Sequence, residues 1–293
     1  MAPANPIAAD QGWTDSGWIG EQAMSLNLTL HTPPAVPVEA EILTPNGTAG
    51  LDDAAVASLA VLHGNQRVPI GDFFRVRGRG NGVIHLEGDL SRIKHIGAGM
   101  SAGQVIIHGD VGAHLGAGMS GGEIHVNGNA GDWVGPEMSG GRITITGNAG
   151  HMVGSAYRGS TTGMLGGEII VHGDVKNETG HAMRNGLIAV GGNAGDFTGV
   201  NMRAGTIVAL GELGIRTGAS MKRGTIVSMH EADILPTFTY ACLYGPVYLR
   251  ILLQHIKRLG LPVTDEYILG QYHRWCGDGV ELNRGEILIY RKR

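Results

Sequence analysis

The sequence predicts an all-β solenoid, a right-handed parallel β-helix of about seven 19-residue turns, and three observations lead there. The first is a repeat between residues 82 and 224 that reads Gly-x-Ile-x-Val-x-Gly-Asn/Asp-Ala/Val-x-x-x-Val-Gly-x-x-Met-x-x, with starts at Gly103, Gly122, Gly141, Gly167, Gly186, Gly205 and Gly224. Every step is 19 residues except Gly141 to Gly167, which is 26. A unit this short cannot bury its own apolar face, so neighbours must stack. The second observation is strand period: positions three and five of each unit are apolar, as in Val105/Ile107, Ile124/Val126, Ile143/Ile145 and Ile188/Val190, with another column between them. The third is a set of glycine columns, including Gly97, Gly116 and Gly135, and Gly109, Gly128 and Gly147, which mark corners. Two short strands and two corners fit in each turn, and the chirality of parallel crossovers favours the right-handed sense.

Taken along the chain, residues 1–23 carry no usable pattern and are read as a flexible N-terminal arm. They show neither a basic n-region nor an apolar h-region, and no later stretch is long and apolar enough to span a bilayer, so a cytoplasmic location is expected. Residues 24–76 predict an N-terminal cap with strands over 25–30 and 38–42 and a helix over 52–59 that opens with acids. The glycine-rich coil follows over 77–230. Residues 231–293 predict a C-terminal cap: a helix over 246–259, with Pro246 at its start, Leu249, Leu252, Leu253, Ile256 and Leu259 on one face and Gly260 past its end, then a strand over 286–290. Either cap hides the unpaired edge of an open coil.

Within the coil, Met100, Met119, Met138, Met164, Met183, Met202 and Met221 recur in phase and are read as core filler, not as a soft-metal column. The column Asp89, Asp110, Asn129, Asn148, Asp174 and Asn193 is read as hydrogen-bonding the corner backbone, because acids and amides mix and no calcium-loop spacing accompanies them. Glycine supplies 50 of 293 residues, yet its periodicity beside aliphatics excludes disorder and collagen. The net charge of −4 argues against a general nucleic-acid binder. Two cysteines, Cys242 and Cys276, require no disulfide framework.

The motifs flanking the repeat carry a family resemblance. Leu28-Thr29-Leu30-His31-Thr32-Pro33-Pro34, Val68-Pro69-Ile70-Gly71-Asp72-Phe73-Phe74, Thr162-Gly163-Met164-Leu165-Gly166-Gly167-Glu168-Ile169 and Leu235-Pro236-Thr237-Phe238 resemble the C subunit of formylmethanofuran dehydrogenase. The likeness is greatest to its bacterial counterpart in the formyltransferase/hydrolase complex of methylotrophs. The glycine repeat alone is also similar to the C-terminal domain of the glutamate synthase large subunit, and the flanking motifs separate the two. The resemblance implies a non-catalytic scaffold in a complex that moves a formyl group from formyl-tetrahydromethanopterin to a furan carrier, methanofuran or methylofuran, and hydrolyses it to formate. It implies A, B and D subunits as partners, with a metal in A and formyl transfer in D, and no cofactor held by this chain.

A search for chemistry in the residues themselves agrees with a non-catalytic role. His108 and His172 share one column, and His85 and His125 another, but neither pair makes a metal triad by spacing. There is no Cys-x-x-Cys, nucleophile elbow or phosphate loop. Two features remain as binding candidates. The insert over 155–163 holds Tyr157 and Arg158 and is either a binding loop or a plain surface loop. In the position after the column methionine stand Arg184, Arg203 and Lys222, with Arg223 adjacent. Stacked about 4.8 Å apart, these cations repel, so an anion would relieve them. The resemblance suggests the glutamate-bearing arm of the carrier; acids of this chain or of a partner are the alternative. Finally, the outward column turns apolar late in the coil, at Leu187, Val208, Leu210, Val227 and Met229. Such a surface needs a cover, either the amphipathic helix or another subunit, and these residues are candidates for a subunit interface. A standalone enzyme with its site at the insert is the other functional class left open.

Overall fold

The computed structural model describes residues 25–292, so the arm expected over 1–23 lies outside the described residues. The N-terminal part contains β1 (Leu26–Leu30), β2 (Val38–Glu39), helix α1 (Asp53–Ala57), β3 (Ala60–His63), β4 (Gln66–Pro69) and β5 (Phe74–Arg77). Helix α1 starts where the Asp52 carboxylate accepts the Ala55 amide at 2.8 Å, satisfying one of the donors a first turn leaves free. The strands β3 and β4 turn through Gly64, whose φ of 64° suits a two-residue hairpin.

The repeats supply β6 (Val83–Glu87), β7 (Ile93–Lys94), β8 (Gln104–His108), β9 (Ser120–Val126), β10 (Gly140–Ile145), β11 (Glu168–Val171), β12 (Leu187–Val190), β13 (Thr206–Ala209) and β14 (Arg223–Ser228). After them come β15 (Thr239–Tyr244), helix α2 (Val247–Arg258), a one-turn helix α3 (Asp265–Leu269), β16 (Tyr272–Gly277) and β17 (Arg284–Tyr290). One sheet has thirteen strands in the order β15-β16-β17-β14-β13-β12-β11-β10-β9-β8-β6-β1-β5; the other has four, β4-β3-β2-β7. Pairing in the long sheet is parallel from β1 to β17 and antiparallel at its two ends, β1 with β5, β15 with β16, and β16 with β17.

This organisation corrects the expected right-handed β-helix solenoid: the chain is a mostly-β fold of two sheets, the larger mixed and largely parallel. Each repeat gives one strand to that sheet. Where a second strand was expected, the repeats touch through single-residue bridges, Leu90 to Val111, Val111 to Ala130, Ala130 to Ala149 and onward to Leu213. The cause is local. After each bridging residue the chain enters left-handed backbone at closely spaced positions, as at His114, Gly116 and Gly118 with φ of 65°, 62° and 62°. Strands need φ near −120°, so no second strand can run through them. His95, His114, Trp133, Met152, Glu178, Phe197 and Arg216 all take this conformation at one repeat position, which is uncommon outside glycine.

The core lies between these layers. The inward columns, among them Ile124, Val126, Ile143 and Ile145, and the methionines Met100 through Met221 are buried and belong to one apolar cluster that runs from Leu26 to Ile289. Two glycine columns serve it for different reasons. Gly116 needs its positive φ, and a Cβ there would also stand 2.7 Å from Ile143 Cδ1; Gly147 has ordinary φ, but a Cβ would stand 2.5 Å from Asn129 Oδ1. That oxygen is engaged by the backbone of the next repeat. Asp110, Asn129, Asn148, Asp174 and Asn193 each accept the amide one repeat on, at 2.7 to 2.9 Å. A second ladder, with no counterpart among the sequence-based expectations, does the same through Asp132, His151, Asn177 and Asp196. These side chains add to the backbone pairs that the corners themselves make between repeats, such as His114 N–H to the Asp132 carbonyl and Trp133 N–H to the His151 carbonyl.

Candidate functional site

The late apolar column is covered by this chain. Leu187, Val208, Leu210, Val227 and Met229 are buried with Leu249, Leu253 and Ile256 of α2 and with Leu261, Tyr272 and Leu288 in a second apolar cluster on the outer face of the long sheet. Of the two covers expected for these five residues, the amphipathic helix or another subunit, the helix is the one present among the described residues. Helix α2 crosses the strands and is tied down at both ends. Near its N-terminus the Tyr248 hydroxyl donates to Glu286 Oε1 of β17 at 2.9 Å, and near its C-terminus His255 Nε2 meets Glu168 Oε1 of β11 at 2.6 Å. Arg142 of β10 completes the second anchor, donating to Glu168 Oε2 at 2.9 Å and reaching Glu123 at 3.4 Å. Burial pushes the Glu168 carboxyl up, but the bonds from His255 and Arg142 outweigh it and hold its pKa below the ordinary value.

The insert folds back onto the protein. Tyr157 stands over a ladder of rings absent from the sequence-based candidates, although their 19-residue spacing is visible in the sequence: His95 stacks on His114 at 4.5 Å and 6°, and His114 on Trp133 at 5.3 Å and 16°. The Tyr157 ring lies 5.5 Å from His114 and 6.2 Å from Trp133, with its hydroxyl 3.0 Å from His114 Nδ1. Burial, then the charges of His95 and Lys94, push the His114 pKa down to about 4, so the ring is neutral at pH 7. Burial and Glu137 push the Tyr157 phenol up to about 12. Tyr157 thus fastens the loop, whereas Arg158 is exposed at its tip.

The basic column is in register. The amides of Arg184, Arg203 and Lys222 donate to the carbonyls of Met164, Met183 and Met202, each at 2.8 Å, which stacks the three residues on successive repeats. Lys222 is paired with Glu281 at 3.3 Å. Among the described residues no carboxylate pairs with Arg184, Arg203 or Arg223, and Arg184 Nε is buried without a hydrogen-bond partner. Beside Arg223, in register across the β14–β17 pair, stands Arg284, a further cation from outside the repeat. Arg203 and Arg223 are exposed, as is Arg158 on the insert.

No family model matches the chain. Over 79 residues it is 45% identical to the C subunit of the molybdenum-containing formylmethanofuran dehydrogenase 1 of Methanothermobacter thermautotrophicus, an alignment covering 26% of this chain and 20% of that one. The chain therefore spans about a fifth of the length of that curated relative. Over 86 residues it is 34% identical to the C subunit of the formyltransferase/hydrolase complex Fhc of Methylorubrum extorquens, covering 29% of this chain and 32% of the relative. Its fold matches a chain in the crystal structure of the FhcABCD formyltransferase/hydrolase complex of Methylorubrum extorquens with methylofuran, at a TM-score of 0.86 and 33% identity over 91% of this chain and 100% of that one. On this near-complete match, joined to the shorter alignments, the chain belongs to the family formed by the C subunits of formylmethanofuran dehydrogenase and of Fhc.

Proposed function

We propose that this chain is a non-catalytic scaffold subunit of a formyltransferase/hydrolase complex. Its partners are then A, B and D subunits, and the complex moves a formyl group from formyl-tetrahydromethanopterin to a furan carrier, methanofuran or methylofuran, and hydrolyses it to formate in the cytoplasm. The observation that carries this reading is the match, over nearly the whole chain, to a chain of the FhcABCD complex. The use made of the polar columns supports the scaffold half: Asp110, Asn129, Asn148 and Asp174 are committed to the backbone of the next repeat, and Glu168 and Glu286 to anchoring α2. Among the described residues no helix is long and apolar enough to cross a membrane.

The test is to express the chain with and without its cognate A, B and D subunits and to record assembly and turnover. An inert chain that joins an active assembly of all four supports the reading, and turnover by the purified chain alone overturns it. Within this proposal the open cations Arg184, Arg203 and Arg223, with Lys222 beside them and Tyr157 and Arg158 on the insert, contact the acidic arm of the carrier or an acidic partner segment. An R184E/R203E chain is expected to give a complex that retains at least tenfold less methylofuran through gel filtration, with retention growing more salt-sensitive in the wild type. Unchanged retention would remove the column from the carrier path.

A further inference from the structure

Four asparagine–glycine steps occur in the chain, Asn46-Gly47, Asn81-Gly82, Asn127-Gly128 and Asn185-Gly186. At such a step the glycine nitrogen stands within reach of the asparagine side-chain carbon, no Cβ shields it, and ring closure between the two is intramolecular. Hydrogen bonds that hold either group oppose the closure. Three of the steps are held in this way. Asn46 Oδ1 accepts the Ser101 amide at 3.1 Å, and the Gly47 amide donates to Thr44 Oγ1 at 2.9 Å. Asn81 Oδ1 accepts the Val83 amide at 3.2 Å, and Asn127 Nδ2 lies 3.4 Å from His108 Nδ1. The fourth step is free. Asn185 is exposed in the bend before β12, and among the described residues neither its side chain nor the Gly186 amide makes a hydrogen bond. The glycine itself is fixed by the fold, since its φ is 98° and a Cβ would stand 2.7 Å from Met164 Cε.

We infer that Asn185 is a self-modification site: the folded chain converts it, with water alone, to aspartate and isoaspartate, and so lowers the charge of the basic column beside it. The Gly186 nitrogen bonds to Asn185 Cγ, the Cγ–Nδ2 bond breaks, and ammonia leaves with the proton that the nitrogen gives up. Water then opens the resulting cyclic imide at one of its two carbonyl carbons. Both products carry a carboxylate where an amide stood, and nothing is oxidised or reduced. The neighbouring charges favour the step at this place. Arg184 precedes Asn185, Arg203 is stacked on Arg184 one repeat on, and neither is paired with a carboxylate among the described residues. Positive charge stabilises both the deprotonated nitrogen and the oxyanion through which the ring closes. The carboxylate that forms then offsets the cations that favoured it. Its effect on the column rests on the anion-holding reading above; the modification itself does not.

Incubation of the purified full chain at mildly alkaline pH, followed by digestion and peptide mass spectrometry, tests this. The peptide holding Asn185 should gain one mass unit, as aspartate and isoaspartate forms, at least tenfold faster than the peptides holding Asn46, Asn81 and Asn127. In urea the four rates should converge, because the hydrogen bonds and stacked cations that set them apart are gone. R184Q/R203Q should slow the Asn185 step at least threefold with an unchanged melting midpoint. Equal rates in the folded chain, an earlier change at Asn127, or a preference for Asn185 that persists in urea overturns the inference. Its consequence is read separately with hexaglutamate as the probe: N185D should bind it at least threefold more weakly than wild type, and N185Q as wild type does. Modification at Asn185 with unchanged hexaglutamate binding by N185D overturns the effect on the column. Hexaglutamate binding by neither wild type nor N185Q overturns the anion-holding reading and leaves the modification to be decided by the mass spectra.

Discussion

Replacing Leu253 by alanine probes how firmly α2 holds the outer face of the sheet. Leu253 is fully buried among Val208, Val227 and Leu288, on a helix of about 18 Å whose ends are pinned to strands four places apart in the sheet, β17 and β11. Removing a buried leucine side chain costs about 2–5 kcal/mol, depending on how far the site collapses. The loss falls on the contact between helix and sheet and leaves the inner cluster untouched, so the helix should open alone more often. With about 3 kcal/mol lost, amides of 247–258 should exchange on the order of a hundredfold faster, while amides of β9 and β10 keep their rates. Ile251→Ala is the control: Ile251 is 65% exposed on the same helix, and its loss should stay within about 0.5 kcal/mol. Equal exchange in L253A and wild type, or equal effects of the two substitutions, would refute the view that this helix closes the apolar column.

Three more outcomes follow from the anchors and the insert. Because the folded Glu168 carboxyl titrates below its unfolded value, its contribution is present above about pH 4.5 and is lost as the pH falls through the lower folded pKa; E168Q should remove that part of the acid slope, measured by urea unfolding between pH 3 and 7. His114 behaves oppositely: its folded pKa is about 4 against 6.5 unfolded, so the unfolded chain takes up a proton first and stability declines as the pH falls from 6.5 to about 4. H114F should flatten that interval, and an unchanged profile would show that the ring ladder is solvated. Tyr157→Phe removes the hydroxyl beside His114 Nδ1 and should loosen residues 155–163 by about 0.5–1.5 kcal/mol, read as faster amide exchange confined to the insert.

Parts of this molecule were legible in the sequence because they are written in local periodicity. The inward aliphatic and methionine columns recur every 19 residues, and each is buried where the period puts it. The second half of each repeat misled, since glycine announces a left-handed backbone and residues such as His114, Trp133 and Phe197, which adopt it as well, do not. Two strands per turn were therefore expected where one strand and a bridge occur. At the candidate site, the apolar run from Leu187 to Met229 was visible as a surface needing cover, and the apolar stripe of α2 was visible as a face needing a partner. The sequence offered that helix and another subunit alike as the cover, and could not choose, because the choice depends on pairings such as His255 with Glu168, 87 residues apart, which no local pattern encodes. The same holds for Lys222, whose partner Glu281 lies in the C-terminal segment.

The ladders of Asp and Asn side chains also bear on how the chain acquires its fold. Each rung bonds to one 19 residues away, or 26 where the insert intervenes, a short separation for a sheet in a 293-residue chain, so closing each loop costs little entropy. The terminal pairings are different: Thr29 meets Glu87 across 58 residues, Ser220 meets Asp278 across 58, and Thr225 meets Glu286 across 61. Refolding should accordingly show a fast phase that zips the rungs and a slower one that seats the two ends, with the open edge of β15 forming last. Until β17 seats, β14 is left without its second partner, and newly made chains are most prone to aggregation during that interval.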